Sequence, residues 1–371
     1  MSDYFPRDLQ LQILKRLLLH SILTCRSVCK SWNSLLTTHD FISAHLKFAE
    51  SSTNHPGIQS LFIRYFDRTR RIEQYVTGKD DETFGLHFSN IEFPYTSAYF
   101  TVIGYCDGVV CLTDDVLDPM YHHMVTLWNP SIRKTVRVVT VPNCDQTRRD
   151  QGTTVLGFGV CPRTHDPKVI RIMYYKDIQN SPSVEVFSLA SNAWRKPRGG
   201  NLNRPRKTIR ISWSQVCLNG FVHWVVCDKQ IETSPRCLIM SFDLARELFD
   251  EMSLPDALVC EDISNLAMSS RKGQLTVLEY DMGKGKECCG VWVMNGFGVA
   301  GSWERLYVIR LPGVLRKAVG FRMNGEIVLA LKNHELVYVE CTGSVKSLGI
   351  YGSIRSFFLG SYVESLILIN Q

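Results

Sequence analysis

The sequence predicts an α+β protein of two domains: a small all-α domain of three short helices, then a large all-β domain folded as a six-bladed β-propeller. Three observations carry this reading. Apolar residues recur at helical spacing as far as Leu46, and beyond Gly57 they recur at strand spacing. Hairpin signals then return at a period of roughly 45 to 60 residues, the spacing of four-stranded blades. A chain of 371 residues that is 45% hydrophobic and 21% charged can fill such a core.

The helices come first. After Pro6, whose fixed φ and missing N–H suit a first helical turn, Leu9, Ile13 and Leu17 recur every four residues. Ser21 is placed to cap a second helix that carries Ile22, Leu23 and Val28 and continues through Trp32, Leu35 and Leu36. Asp40 is placed to cap a last turn through Phe41 and Leu46. Three short helices in roughly 40 residues bury too little surface to stand alone, so an exposed apolar face should be covered by a partner. The flat ring of Trp32, in "VCKSWNSLL", offers contact area at little rotamer cost.

The run "FPRDLQLQILKRLLLHSILTCRSVCKSWNSLLTTHDFISAHL", residues 5–46, resembles a plant F-box. Pro6, Asp8, Leu9, Ile13, Leu14, Arg16, Leu17, Ser21, Val28, Cys29, Lys30, Ser31, Trp32 and Leu35 stand where that family puts them, as do Phe41, His45 and Leu46. The resemblance implies a module that inserts an apolar face into the C-terminal helices of a Skp-type adaptor. Phe5, Pro6, Leu9, Ile13, Leu14, Leu17, Leu23, Val28, Cys29 and Trp32 are its implied adaptor-binding residues. Three positions depart from the pattern: Phe5 replaces the usual leucine, Leu18 replaces a proline, and His20 stands where lysine is common. Loss of that proline weakens the turn signal between the first two helices.

Residues 47–57, "KFAESSTNHPG", hold turn formers and little bulk, and read as a linker between a helical domain over 1–46 and the all-β domain over 58–371. One hairpin type follows with a tight turn at Asp107-Gly108, Asn219-Gly220, Lys272-Gly273 and Asn324-Gly325, where residues tolerant of positive φ are required. A second type, in "LWNPSIRK", "VFSLASNAW" and "SFDLARELF", reads as strand, Asx or Ser turn, strand. Paired, the two types give blades near residues 102–142, 155–197, 215–255, 266–312 and 318–351. A hairpin at 60–76 and another at 354–369 are left over, and together they would complete a sixth blade that closes the ring and removes its open edge.

"GYCDGVVCL", "LWNPSIRK", "VEVFSLASNAWR", "CLNGFVHW" and "SFDLARELF" resemble the F-box-associated domain of plant F-box proteins, the group with S-locus and kelch-like members. That resemblance implies a β-rich domain that recruits substrates. The paired glycines of a true kelch repeat are missing here.

Cysteine usage and charge narrow the function classes. The 13 cysteines include no C-x-x-C pair and mostly sit in apolar strand-like runs, which fits reduced, buried thiols. The opening "MSDYFPRDLQ" has acids and a proline where a signal peptide needs basic and then apolar residues, and no apolar run reaches membrane-span length. A soluble protein of the cytoplasm, the nucleus or both is expected, with no membrane partner. A net charge of +6 permits an acidic partner without calling for nucleic acid, which is not expected.

Candidate chemistry is sparse. "GFGVAG" at 296–301 fits G-x-G-x-x-G, but a strand-like run follows where a dinucleotide site needs a helix. His122 and His123 near Asp114, Asp115 and Asp118 lack the spacing of a metal site, and His223 in "GFVHWVV" reads as a core strand histidine. No catalytic residue, metal or cofactor is expected. The charge run at 195–210 contains no acid and lies between two blades; within it Arg198, Arg204, Arg206 and Lys207 are the candidate substrate contacts.

The expectation is therefore a non-catalytic, substrate-recognition subunit of an SCF-type (Skp–cullin–F-box) ubiquitin ligase. It would bind a Skp-type adaptor and through it a cullin–RING ligase, and would present a protein substrate that the sequence does not name. The alternatives are an interaction scaffold with a degenerate F-box, and a propeller enzyme with a convergent site at the ring mouth.

Overall fold

The structure is a computed structural model that describes residues 6–52, 60–93, 100–114, 124–138, 152–175, 182–199, 208–229, 236–259, 261–283, 287–299 and 301–371. Four helices, not three, make up the N-terminal unit: α1 (Arg7–Leu14), α2 (Leu19–Cys25), α3 (Lys30–Leu36) and α4 (His39–Ser52). The single helix expected from Ser21 through Leu36 breaks at Cys29, whose backbone is extended (φ −161°, ψ 161°). The Cys29 thiol accepts a hydrogen bond from the Trp32 amide at 3.4 Å, so this cysteine caps α3. Ser21 caps nothing, because α2 begins two residues earlier, after an extended Leu18 with no side-chain cap. Thr38, not Asp40, caps α4, its hydroxyl accepting from the Phe41 amide at 3.3 Å. α4 then runs on through residues 47–52 of the expected linker. Among the described residues no helix is long and apolar enough to cross a membrane.

The strands form six four-stranded antiparallel sheets. β1 (Ser60–Asp67), β2 (Ile72–Lys79) and β3 (Ser89–Asn90) open the ring as three strands of blade one. Blade two holds β4 (Phe100–Cys106), β5 (Val109–Asp114), β6 (Val125–Asn129) and β7 (Lys134–Val138). Blade three holds β8 (Gly152–Val160), β9 (Pro167–Tyr175), β10 (Ser183–Ser188) and β11 (Ala193–Arg195). Blade four holds β12 (Thr208–Leu218), β13 (Phe221–Lys229), β14 (Arg236–Asp243) and β15 (Phe249–Ser253). Blade five holds β16 (Leu266–Arg271), β17 (Gln274–Asp281), β18 (Cys288–Met294) and β19 (Trp303–Arg310). Blade six holds β20 (Leu315–Phe321), β21 (Ile327–Leu331), β22 (Glu335–Val339) and β23 (Val345–Tyr351). The last strand, β24 (Phe358–Tyr362), returns to blade one and pairs with β1 from Ser60↔Tyr362 to Arg64↔Phe358.

The termini therefore share one blade, as the leftover hairpins require, but in a three-plus-one division. The segment 354–369 is not a hairpin: only Phe358–Tyr362 is strand. Three of the four predicted tight turns adopt two successive positive φ values: 50° and 81° at Asp107-Gly108, 53° and 80° at Asn219-Gly220, and 50° and 72° at Lys272-Gly273. In the fourth only Gly325 turns left-handed, and the Asn324 side chain accepts from the Glu326 amide at 3.0 Å.

Strand direction alternates within each sheet, so turns joining first to second and third to fourth strands gather at one end of the ring. Connections from second to third strands, and from one blade to the next, gather at the other. The helical unit sits at the first of these ends. Leu46 of α4 packs with Val109, Val160 and Val169, and the His39 ring lies 5.0 Å from that of His165 in the β8–β9 turn.

Residues 363–371, whose first seven fell in the hairpin expected at 354–369, form a wedge between helices and ring. Leu366 and Ile369 pack with Leu14, Leu19, Ile22 and Phe41, while Ile367 and Leu368 join the core of blades two and three. Fully buried Asn129 holds the wedge by donating from Nδ2 to the carbonyls of Ser365 (2.9 Å) and Ile367 (2.7 Å). Asn370 donates to the Thr37 carbonyl at 2.9 Å. Gly108 lets the wedge pass, since a Cβ there would meet the Ser365 Cβ at 2.5 Å.

Candidate functional site

Two faces of the molecule are built for contact, and the first is the helical unit. On α1, Leu9 and Ile13 lie one turn apart and are 49% and 55% exposed, while Leu14 is buried against the other helices and the wedge. Leu9 and Ile13 are thus free for a partner, and Leu14 is a core residue. It cannot contribute the adaptor surface assigned to it from sequence. Pro6 and Val28 are exposed as well; Leu17, Leu23, Cys29 and Trp32 are half-buried. Phe5 lies outside the described residues. Leu18, where the family pattern has proline, is 76% exposed.

The second face is the opposite end of the ring, one mouth of a central cavity of about 1130 Å³ whose lining runs from Arg210 and Arg316 there to Lys272, Gly273 and Met323 in turns at the helical end. It is lined from blades one, two, four, five and six. β8, the innermost strand of blade three, is covered, because β4 and β12 meet in front of it. Gln215 of β12 accepts from the Phe158 amide at 3.0 Å, and a Cβ on Gly104 would meet the Gln215 amide group at 1.9 Å. The Cys106 and Cys217 sulfurs lie 3.2 Å apart at the same junction.

The charge run at 195–210 divides between these ends. Arg195 pairs with Glu247 at 2.6 Å, and the Arg198 amide donates to the same carboxylate at 3.0 Å. Glu247 belongs to the β14–β15 turn, so exposed Arg198 lies at the helical end of the ring, away from the cavity mouth. Arg204, Arg206 and Lys207 lie outside the described residues, in the stretch leading into β12. The absence of acids inside the run hid Arg195's partner, which is 52 residues away.

The other candidate groups resolve as structure. "GFGVAG" forms the connection between antiparallel β18 and β19, with no helix to receive a phosphate. His122 and His123, with Asp115 and Asp118, lie outside the described residues; Asp114 accepts from the Met124 amide at 2.7 Å. Among the described residues no group of three or more His, Cys, Asp or Glu side chains could hold a metal ion.

His223 is fully buried, and its Nδ1 shares a hydrogen bond of 2.7 Å with Ser241 Oγ. Burial pushes its pKa down from 6.5 to about 4. The unfolded chain therefore takes up the proton first, and stability should fall as pH drops through that window. We expect a loss of about 2 kcal/mol from this group between pH 7 and pH 5. Urea melts of wild type and His223→Gln at both pH values check this, and equal losses in the two proteins would exclude it.

Comparison with known proteins finds matches for both parts of the chain. The model of the F-box domain matches residues 3–43, and that of the F-box associated beta propeller domain matches residues 79–369. The chain is similar to three proteins of Arabidopsis thaliana. It is 28% identical to F-box protein At3g07870, over 94% of this chain and 88% of that one. It is 26% identical to F-box/kelch-repeat protein At3g23880 (83% and 80%), and 23% identical to F-box protein CPR1 (98% and 88%). A four-helix module with an open apolar face, fixed to a closed six-bladed ring and matched over both parts, leaves one assignment: this chain belongs to the plant-type F-box proteins that carry an F-box associated β-propeller domain.

Proposed function

We propose that this protein is the substrate-recognition subunit of an SCF-type ubiquitin ligase. The F-box docks a Skp-type adaptor and through it a cullin–RING ligase, while the ring presents a protein target for ubiquitination and degradation in the cytoplasm or nucleus. Catalysis in this role is by proximity, since the target's lysines are held near the loaded conjugating enzyme. One observation carries the reading: the F-box leaves Leu9 and Ile13 of α1 open, while Leu14, Leu19, Ile22 and Phe41 fasten it through Leu366 and Ile369 to the end of the ring away from Arg210 and Arg316. Arg204, Arg206 and Lys207, in the stretch that leads to the cavity mouth, are target contacts in this reading.

Ile13→Asp tests it. A carboxylate placed in the adaptor contact has no partner there and should lower adaptor affinity by at least about tenfold. The folded ring should be unaffected, because Ile13 touches solvent and not the wedge. Pull-down of a Skp-type adaptor by the full-length proteins is the measurement. Equal capture by wild type and variant would remove α1 from the interface, and no capture by wild type would leave the degenerate-F-box scaffold.

A further inference from the structure

The lining of the central cavity has one sign of charge. Seven arginine or lysine residues face it, and among the described residues no aspartate or glutamate does. Two of these cations are satisfied internally: Arg64 by Glu73 at 2.6 Å, and Arg322 by Asp80 at 2.7 Å and Glu326 at 2.6 Å. Arg210, Lys272, Arg316, Lys317 and Arg355 have no carboxylate within ion-pair distance among the described residues, and Lys272, in the β16–β17 turn, lies at the F-box end of the ring. Arg210, Arg316 and Lys317 lie near the starts of β12 and β20, and Arg355 just precedes β24. All four therefore sit at the mouth remote from the F-box.

Local backbone geometry presents these side chains. The pairing of β20 with β21 skips from Leu315 to Lys317, so Arg316 is an extra, bulged residue. The pairing of β12 with β13 skips from Ile211 to Gln215, so Trp213 lies in a second bulge and is 70% exposed within the same lining. Bulges on an innermost strand turn side chains away from the sheet, here toward the cavity. Lys317 is half-buried beside Arg64, and burial together with that neighbouring charge lowers its pKa below the usual lysine range. A cation held this way is stabilised by an arriving anion more than a solvated one would be.

We propose that this mouth binds an acidic peptide segment of the target, with its carboxylates on Arg210, Arg316, Lys317 and Arg355 and an apolar side chain on Trp213. The inference rests on the reading of the ring as the target-holding part. The four cations come from blades four, six and one, so they surround the opening instead of forming one cup. A compact phosphate would reach few of them and would leave Trp213 in water. An extended segment can meet arginine forks on opposite sides and the indole between them, and the cavity is larger than an ordinary small-molecule pocket.

The test uses the full chain and a fluorescein-labelled peptide of repeating Glu-Phe dipeptides, with the corresponding Lys-Phe peptide and inorganic pyrophosphate as comparisons. Wild type should bind the acidic peptide in a salt-sensitive way and should not bind the basic one. Arg210→Ser/Arg316→Ser/Lys317→Ser should weaken binding at least about tenfold, and Trp213→Ala several-fold, while the urea midpoint stays that of wild type. Undiminished binding by the triple variant overturns the proposal. So does tight pyrophosphate binding without peptide binding, which would make the mouth a small-anion site. Adaptor pull-down on the same proteins separates the two readings: loss of adaptor capture with peptide binding intact sinks the ligase role alone, and the reverse sinks the peptide site alone.

Discussion

Removal of residues 354–371 should leave an insoluble or molten protein. The deletion takes away β24, so β1 becomes an open strand edge facing the cavity. It also removes Leu359, Leu366, Ile367, Leu368 and Ile369, all buried. At about 1.5–3 kcal/mol for each such side chain, the loss is comparable with the whole stability of a typical domain. Asn129 would keep two buried donors without their carbonyls, which adds to the cost. Solubility, near-UV circular dichroism and a urea melt read the outcome. A shorter deletion, residues 363–371, keeps β24 and so keeps the ring closed, but it also removes Leu366, Ile367, Leu368, Ile369 and the Asn129 carbonyl partners, so it should be strongly destabilised as well and the F-box loses its seat. A soluble 354–371 deletion with a sharp, native-like melt would show that the ring does not depend on its last strand.

Glu247→Gln should cost about 3–5 kcal/mol. This fully buried carboxylate lies at the seam between blades three and four, 2.8 Å from Lys168 and 2.6 Å from Arg195, and accepts the Arg198 amide as well. Burial alone would raise its pKa, but Arg195, Lys168 and that amide outweigh it and bring the value from 4.5 down to about 2. Because the folded value is the lower one, its contribution is complete above about pH 4.5 and is lost as pH falls toward 2. The amide in Glu247→Gln leaves the Lys168 and Arg195 charges unpaired inside the seam. Urea unfolding at neutral pH should show the loss, and a second change, Lys168→Met, should restore part of it. A loss below about 1 kcal/mol would mean that water reaches the pair and screens it.

Sequence alone determined whatever depends on neighbours along the chain. Asp107-Gly108, Asn219-Gly220 and Lys272-Gly273 are tight turns because few other residue pairs tolerate two successive positive φ values, and their spacing marked the blades. The F-box was legible because its pattern occupies one short continuous run, and two unpaired segments implied that the ends of the chain meet.

Tertiary structure decided what depends on residues brought together from far apart. Helical periodicity could not show the break at Cys29, where a thiol takes the capping amide, nor that Leu14 is spent on Leu366 and Ile369 instead of a partner. The terminal run "SLILI" reads as an apolar strand, yet it divides between two cores, Leu366 and Ile369 packing with the helices and Ile367 and Leu368 with blades two and three. Arg195 looked solvated until Glu247 was placed beside it, and Arg210, Arg316, Lys317 and Arg355 are scattered singly along the chain. Only closure of the ring puts those cations around one opening, since a propeller's innermost strands come from every blade and meet nowhere but at its axis.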